Sequence, residues 1–309
     1  MAGTEGTGHG KIILLGEHAV VFGRPALAAA IPRGCRAEAK FAEESSLSVA
    51  PWGVHVRADH AEPEPDRELL RRAFAEVCQR FPEGSRALSV EAVMEIPGGA
   101  GLGGSAALSV AAIRACHAAL GVSASDDEVI ELSLAWERVF HGNPSGIDSA
   151  MATRGGLALY RRGEPLAPVV AGGALALVVA NSGEHGSTHA MVASVGRQHA
   201  RDPIKTDQIF DAIAAVVQNG KTAIEAGERA RLGQLMDLNQ TLLNTLMLST
   251  STLEAMCQAA RAAGALGAKL TGGGGGGCMI ALGRDAAHAE VIAEGLRTRG
   301  HDAFIVEVT

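Results

Sequence analysis

Pro97-Gly98-Gly99-Ala100-Gly101-Leu102-Gly103-Gly104-Ser105-Ala106-Ala107 is a glycine cluster between two segments of opposite periodicity. Before it, Ala87 to Ile96 reads as a strand that stops at Pro97. After it, Ser105 to Leu120 is an Ala-rich helix closed by Gly121. A strand, glycine loop and helix in that order build an anion site. The glycines permit positive φ and close approach of the backbone, and the first-turn N–H groups of the helix stay open to a negative ligand at the positive end of the dipole. A nucleotide polyphosphate is the ligand that such a loop suits best.

Two other phosphate motifs compete for this stretch. Gly99-x-Gly101-x-x-Gly104 formally matches a dinucleotide fingerprint, but the acid expected about 20 residues on would be Asp126 or Asp127, and Ser125-Asp126-Asp127-Glu128 already reads as a helix N-cap with an acidic first turn. No βαβ repeat follows. A P-loop is excluded, because Gly10-Lys11 is followed by Ile12 rather than Ser or Thr, and Glu5 stands where the first glycine is required.

Two further segments carry reactive groups. Glu137 lies near the end of the helix predicted over Val129 to Phe140, and Asp148 follows the turn Asn143-Pro144-Ser145-Gly146. An acid at a helix C-terminus opposes the dipole, so a cation such as magnesium would account for Glu137, while an ordinary surface glutamate is the plainer alternative. Taken alone, Asp148 is equally an N-cap for residues 149 to 153 or a catalytic carboxylate. The third segment, Lys269-Leu270-Thr271 followed by Gly272 to Gly277 and Cys278, interrupts apolar strand sequence. A tight loop lining a site therefore explains it better than a linker, which would be flanked by polar tracts.

The remainder of the chain frames these segments. At 309 residues it exceeds the commonest single-domain size, and with 47% hydrophobic and 20% charged residues it is globular in composition. A net charge of −7 and a single Tyr supply neither the basic footprint nor the stacking platforms of a nucleic-acid binder. Five scattered cysteines without a C-x-x-C pair fit reduced thiols in a cytoplasm. Met1 to Gly10 lacks the features of a secretory signal, and no apolar run approaches the roughly 20 residues of a membrane helix. His185 and His189 stand four apart with no third ligand in view and read as polar surface. Strands are predicted at Lys11 to Leu15, Arg33 to Phe41, Ala174 to Asn181, Ala268 to Leu270, Cys278 to Leu282 and Ala303 to Val308. Helices are predicted at Asp66 to Phe81, Thr206 to Gly227, Arg229 to Leu248, Thr252 to Ala263 and Asp285 to Arg299. The pattern predicts two α+β domains, residues 1-170 and 171-309.

Together with Lys11-Ile12-Ile13-Leu14-Leu15-Gly16-Glu17-His18-Ala19-Val20-Val21-Phe22-Gly23, the three segments resemble the motifs of the GHMP kinases, in order and across most of the chain. Gly16-Glu17-His18-Ala19-Val20-Val21-Phe22-Gly23-Arg24-Pro25-Ala26 and Asn143-Pro144-Ser145-Gly146-Ile147-Asp148 are similar to the mevalonate kinase branch; galactokinases continue differently after the first motif. The resemblance implies a ribosomal protein S5 domain 2-like N-terminal domain and a ferredoxin-like C-terminal one, with the active site in the cleft between them. It implies ATP and mevalonate as substrates, Mg2+ as cofactor, 5-phosphomevalonate and ADP as products, and a place in isoprenoid precursor synthesis. A homodimer is compatible with it.

Carried over by position, the resemblance assigns the ATP phosphates to Gly99, Ala100, Gly101, Leu102, Gly103, Gly104, Ser105 and Ala106, and magnesium to Ser105 and Glu137. Asp148 would be the base and Lys11 its neighbour beside the transferred phosphoryl. Glu17, His18, Thr188, Gly273 and Gly274 would border the acceptor substrate. The chain departs from the family pattern at Gly104, where Ser is frequent, and at Gly273, where Ala is frequent; loss of a hydroxyl at 104 removes one contact to phosphate. Another GHMP kinase acting on phosphomevalonate, homoserine or a sugar remains open, as does a catalytically silent nucleotide-binding regulator.

Overall fold

A computed structural model describes residues 4–81, 85–141 and 144–309. The chain resolves into two compact units, each assembled from non-consecutive segments. The first comprises Met1–Lys11, Pro32–Gly98 and Gly103–Gly155, and the second Ile12–Ile31, Gly99–Leu102 and Gly156–Thr309. The strands β1 (Glu5–Leu15) and β2 (Ala26–Phe41) each contribute one half to either unit.

In the first unit, β3 (Ser46–Val49), β4 (Val54–Arg57) and β5 (Leu88–Met94) complete a sheet of order β4-β3-β5-β2, with β1 paired to β2. β3 runs parallel to β5, whereas β4 pairs with β3 and β5 with β2 in antiparallel register. The helices of this unit are α1 (Pro65–Cys78), α2 (Gly104–Leu120), α3 (Asp126–His141) and α4 (Ile147–Arg154). α2, α3 and α4 pack on one another pairwise, and α2 also packs on β5. α1 turns Leu70, Ala73, Phe74 and Val77 inward, the stripe that its periodicity predicts.

β1 begins six residues before the predicted Lys11. Its extension is rich in glycine, and the reason is close packing. A Cβ at Gly6 would lie 2.3 Å from Ala111 O and one at Gly8 2.2 Å from Ala107 O, so the strand lies directly against the backbone of α2. α2 is in turn buried on most of its faces by small side chains, among them Ala106, Ala107, Ala111 and Ala115.

In the second unit the first half of β2 pairs antiparallel with β6 (Leu157–Tyr160), which pairs with β7 (Ala167–Pro168). A separate four-stranded antiparallel sheet has the order β11-β8-β10-β9, made from β8 (Leu175–Asn181), β9 (Gly267–Thr271), β10 (Cys278–Leu282) and β11 (Asp302–Val308). The helices are α5 (Thr188–Arg201), α6 (Pro203–Glu225), α7 (Arg229–Thr245), α8 (Ser251–Ala262) and α9 (Ala286–Arg297). α7, α8 and α9 cover the four-stranded sheet, whose β9 and β10 are buried at every position.

Of the two readings of Asp148, the N-cap does not hold: α4 starts at Ile147 behind Gly146 at φ 88, so Asp148 sits within the first turn. α5, not predicted from the sequence, has Val195 as its only fully buried residue. His189 lies on α5 and His185 before it, and among the described residues no group of three His, Cys, Asp or Glu side chains is arranged to hold a metal. Among the described residues no helix is long and apolar enough to cross a membrane.

Candidate active site

In the first unit Lys11 stands where its share of β1 ends, with a side chain only 5% exposed, and its Nζ lies 3.2 Å from Asp148 Oδ1. Asp148 reaches this position from the first turn of α4, the positive end of that helix dipole. Gly103 is the residue that allows the loop to pass over the lysine. It is the N-cap of α2 at φ 74, and a Cβ there would sit 2.9 Å from Lys11 Cγ. Because Gly103 has no side chain to occupy the first-turn amides of Gly104, Ser105 and Ala106, those N–H groups are available to an anion.

Ser105 Oγ donates to Glu137 Oε1 at 2.5 Å and accepts from Trp136 Nε1 at 3.2 Å. Glu137 is buried, and its carboxyl pKa is raised to about 7, chiefly by that burial and in smaller part by the Asp148 charge, against the downward pull of the Ser105 hydrogen bond and the Lys11 charge. Lys11, Ser105, Glu137 and Asp148 therefore share one electrostatic neighbourhood. Gly142 and Asn143 of the turn before Asp148 lie outside the described residues.

The second unit holds the other predicted residues. Glu17 and Lys269 form a fully buried ion pair, Asn239 Nδ2 donates to Glu17 Oε2 at 3.1 Å, and Lys269 Nζ also donates to Leu270 O at 2.5 Å. Burial drives the Glu17 carboxyl pKa up against the pull of Lys269. His18 adopts φ 60, and its Nε2 lies 2.8 Å from Gly273 O. A carbonyl only accepts, so Nε2 carries the proton and Nδ1 is a bare acceptor. That Nδ1 is buried without a hydrogen-bond partner, and burial lowers the imidazole pKa. Gly273 also faces Thr188, the exposed first residue of α5: a Cβ at 273 would come 2.7 Å from Thr188 Oγ1. The alanine frequent in the family at this position would not fit without movement of Thr188.

The glycine run is pinned along its length. Gly275 N donates to Leu248 O at 2.8 Å, and a Cβ at Gly274, φ 72, would lie 2.4 Å from the same oxygen. The Gly99–Leu102 part of the glycine loop groups with this unit, where a Cβ at Gly101 would contact Thr271 O at 3.6 Å and one at Gly277 would contact Ala100 O at 3.0 Å. The sequence reading gave no role to Lys269, Asn239 or Trp136. A lysine inside an apolar strand was the one available signal for the buried pair, and Trp136 announces itself only by adjacency to Glu137.

Ser105 and Glu137 offer two hard oxygen donors at a helix N-terminus, a set that suits magnesium when phosphate oxygens and water complete the shell. Known proteins match this chain over most of its length. The model of the GHMP kinases N terminal domain matches residues 68–156, and that of the GHMP kinases C terminal domain matches residues 221–302. The mevalonate kinase of Thermococcus gammatolerans is 35% identical over 97% of this chain and 94% of its own length, and that of Pyrococcus furiosus is 33% identical over 97% and 94%. The crystal structure of L. major mevalonate kinase in complex with R-mevalonate superposes with a TM-score of 0.85 at 30% identity, covering 99% of this chain and 95% of that one. With a glycine loop at a helix N-terminus, a lysine–aspartate pair and a buried Ser–Glu pair in the matching motifs, the chain belongs to the mevalonate kinase family of the GHMP kinases.

Proposed function

We propose that the chain transfers the γ-phosphoryl group of ATP to the C5 hydroxyl of (R)-mevalonate, releasing 5-phosphomevalonate and ADP, in isoprenoid precursor biosynthesis by the mevalonate pathway. The observation that carries this reading is the Lys11–Asp148 pair at 3.2 Å beside the Ser105–Glu137 pair. It supplies a carboxylate for the acceptor hydroxyl and an amine for phosphoryl oxygens.

In such a transfer the bond from the C5 oxygen to phosphorus forms while the bond to the β,γ-bridging oxygen breaks, and the electron pair leaves with ADP. The transition state is loose, so positioning and charge stabilisation do most of the catalysis. Asp148 would take the hydroxyl proton as the oxygen attacks. Lys11 would donate to the oxygens of the moving group, and the first-turn amides of α2 would hold the phosphates. Magnesium, when bound through Ser105 and Glu137, would neutralise phosphate charge. His18 Nδ1, a buried acceptor, suits a hydroxyl of the acceptor substrate and repels a carboxylate oxygen. Glu17, Thr188, Gly273 and Gly274 complete the proposed acceptor side.

The same reading divides the sequence at residue 170, supported by family models that fall on either side of it, whereas the compact units are built from non-consecutive segments and last change over between Gly155 and Gly156. It places the reaction in the cytoplasm, where reduced thiols agree with the free state of all five cysteines. The test is substrate-dependent ADP release by the purified chain across mevalonate, phosphomevalonate, homoserine and galactose. Turnover with mevalonate far above the other three is the expected result, and preference for another acceptor would overturn the assignment.

A further inference from the structure

Three fully buried serines join the helices that carry the proposed site. Ser109 lies on α2, Ser133 on α3 and Ser149 on α4. Ser133 Oγ donates its one proton to Ser149 Oγ at 2.9 Å, so in its 2.7 Å contact with Ser109 Oγ it is the acceptor. Ala106 O, 2.9 Å from Ser109 Oγ, is a second acceptor within reach of the same Ser109 proton, and Thr153 Oγ1 donates to Ser149 O at 2.8 Å.

The placement of these hydroxyls follows the reactive groups. Ser109 is one helical turn beyond Ser105, on the same face of α2. Ser133 is one turn before Glu137, on the same face of α3. Ser149 follows Asp148 directly on α4. Each helix that presents one proposed group thus also sends one hydroxyl to a common buried junction. Apolar contact of α2 with α3 and α4 fixes their separation but sets register loosely on the α2 side, where the buried surface is largely alanine. A hydrogen bond loses its strength within a few tenths of an ångström and below about 120°. A shared polar junction therefore sets the relative register of the three helices more sharply than alanine packing does.

We propose that Ser133, the centre of this junction, is a positioning residue for catalysis: through Ser109 and Ser149 it holds α2, α3 and α4 in the register that aligns Ser105, Glu137 and Asp148. The proposal rests on the functional reading of those three groups. The alternative is a junction that serves stability alone, and the two separate on measurement. Ser133→Ala leaves the hydroxyls of Ser109 and Ser149 short of a partner. Ser109→Ala with Ser133→Ala and Ser149→Ala removes the whole set and leaves an apolar junction with no unsatisfied group.

The experiment measures kcat, KM for ATP and KM for mevalonate on the full chain, for Ser133→Ala and the triple variant. Each is assayed at a temperature where circular dichroism shows it folded, with the thermal midpoint recorded. The expected result is a kcat lower by about tenfold to a hundredfold in both, with KM values little changed, even where the triple variant recovers the thermal midpoint. Wild-type kcat in either folded variant, or a loss confined to KM, would overturn the positioning role. Should Ser133→Ala fail to fold, the triple variant decides alone. Asp148→Asn in the same series keeps the two levels apart: if it turns over normally, the reading of the site falls, whereas an inactive Asp148→Asn beside a fully active Ser133→Ala removes only the junction's role.

Discussion

Lys11 Nζ lies 3.2 Å from Asp148 Oδ1 although the residues are far apart in sequence, and the lysine stem is buried beneath Gly103. The amine is thus held in place by packing as well as by charge. Lys11→Met keeps the length of the stem and removes the charge, so kcat is expected to fall by about 10²- to 10³-fold, the scale seen when one donor to a developing oxyanion is lost. Lys11→Arg should fail to restore it, because the broader guanidinium does not fit the space under Gly103. Steady-state kinetics on both variants checks this.

Glu137 gives the metal-free protein a pH-dependent stability. Its carboxyl pKa is about 7 when folded against 4.5 for the free group, so between those values the folded state binds more protons than the unfolded state. The contribution is fully present below the lower value and is lost as pH rises to the upper one, by up to about 3 kcal/mol. Urea unfolding at the two ends of this window should show the loss, and Glu137→Gln should flatten it.

Gly103→Ala imposes two penalties. Alanine at φ 74 costs about 1–2 kcal/mol of stability, and its Cβ would push on Lys11 Cγ from 2.9 Å. Gly121→Ala is the control, since Gly121 has φ 69 and nothing within 4 Å of an added Cβ. Gly103→Ala should lose at least as much stability by thermal unfolding as Gly121→Ala, and only Gly103→Ala should lose kcat beyond that of the control.

The Glu17–Lys269 pair is fully buried, so removing one partner strands the other. Lys269→Met is expected to cost about 3–5 kcal/mol, and Lys269→Met with Glu17→Gln should recover much of it, since the amide keeps its partnership with Asn239. Equal midpoints for the single and double variants in urea would remove the ion pair from the stability of this unit.

Local pattern reaches some parts of this molecule and not others. The helices with an apolar stripe, such as α1 with Leu70, Phe74 and Val77, are legible because their burial is written at helical spacing. α5 is not, because it buries little. The glycines of the loop before α2 are legible as backbone freedom, but the reason for Gly103, the lysine beneath it, depends on a residue 92 positions away, the difference between 103 and 11. Lys269 in an apolar strand hints at a buried partner without naming Glu17. The serine junction gives no signal at all, since Ser109, Ser133 and Ser149 are unremarkable helix residues until three helices bring them together.

Asp148→Asn tests the core of the proposed mechanism most directly, because it preserves shape and removes the proposed proton acceptor. The measurement is kcat with ATP and mevalonate together with the dissociation constant for ADP. A fall in kcat of about 10²- to 10⁴-fold with nucleotide affinity retained is the predicted result. Turnover close to that of the unmodified chain would contradict it.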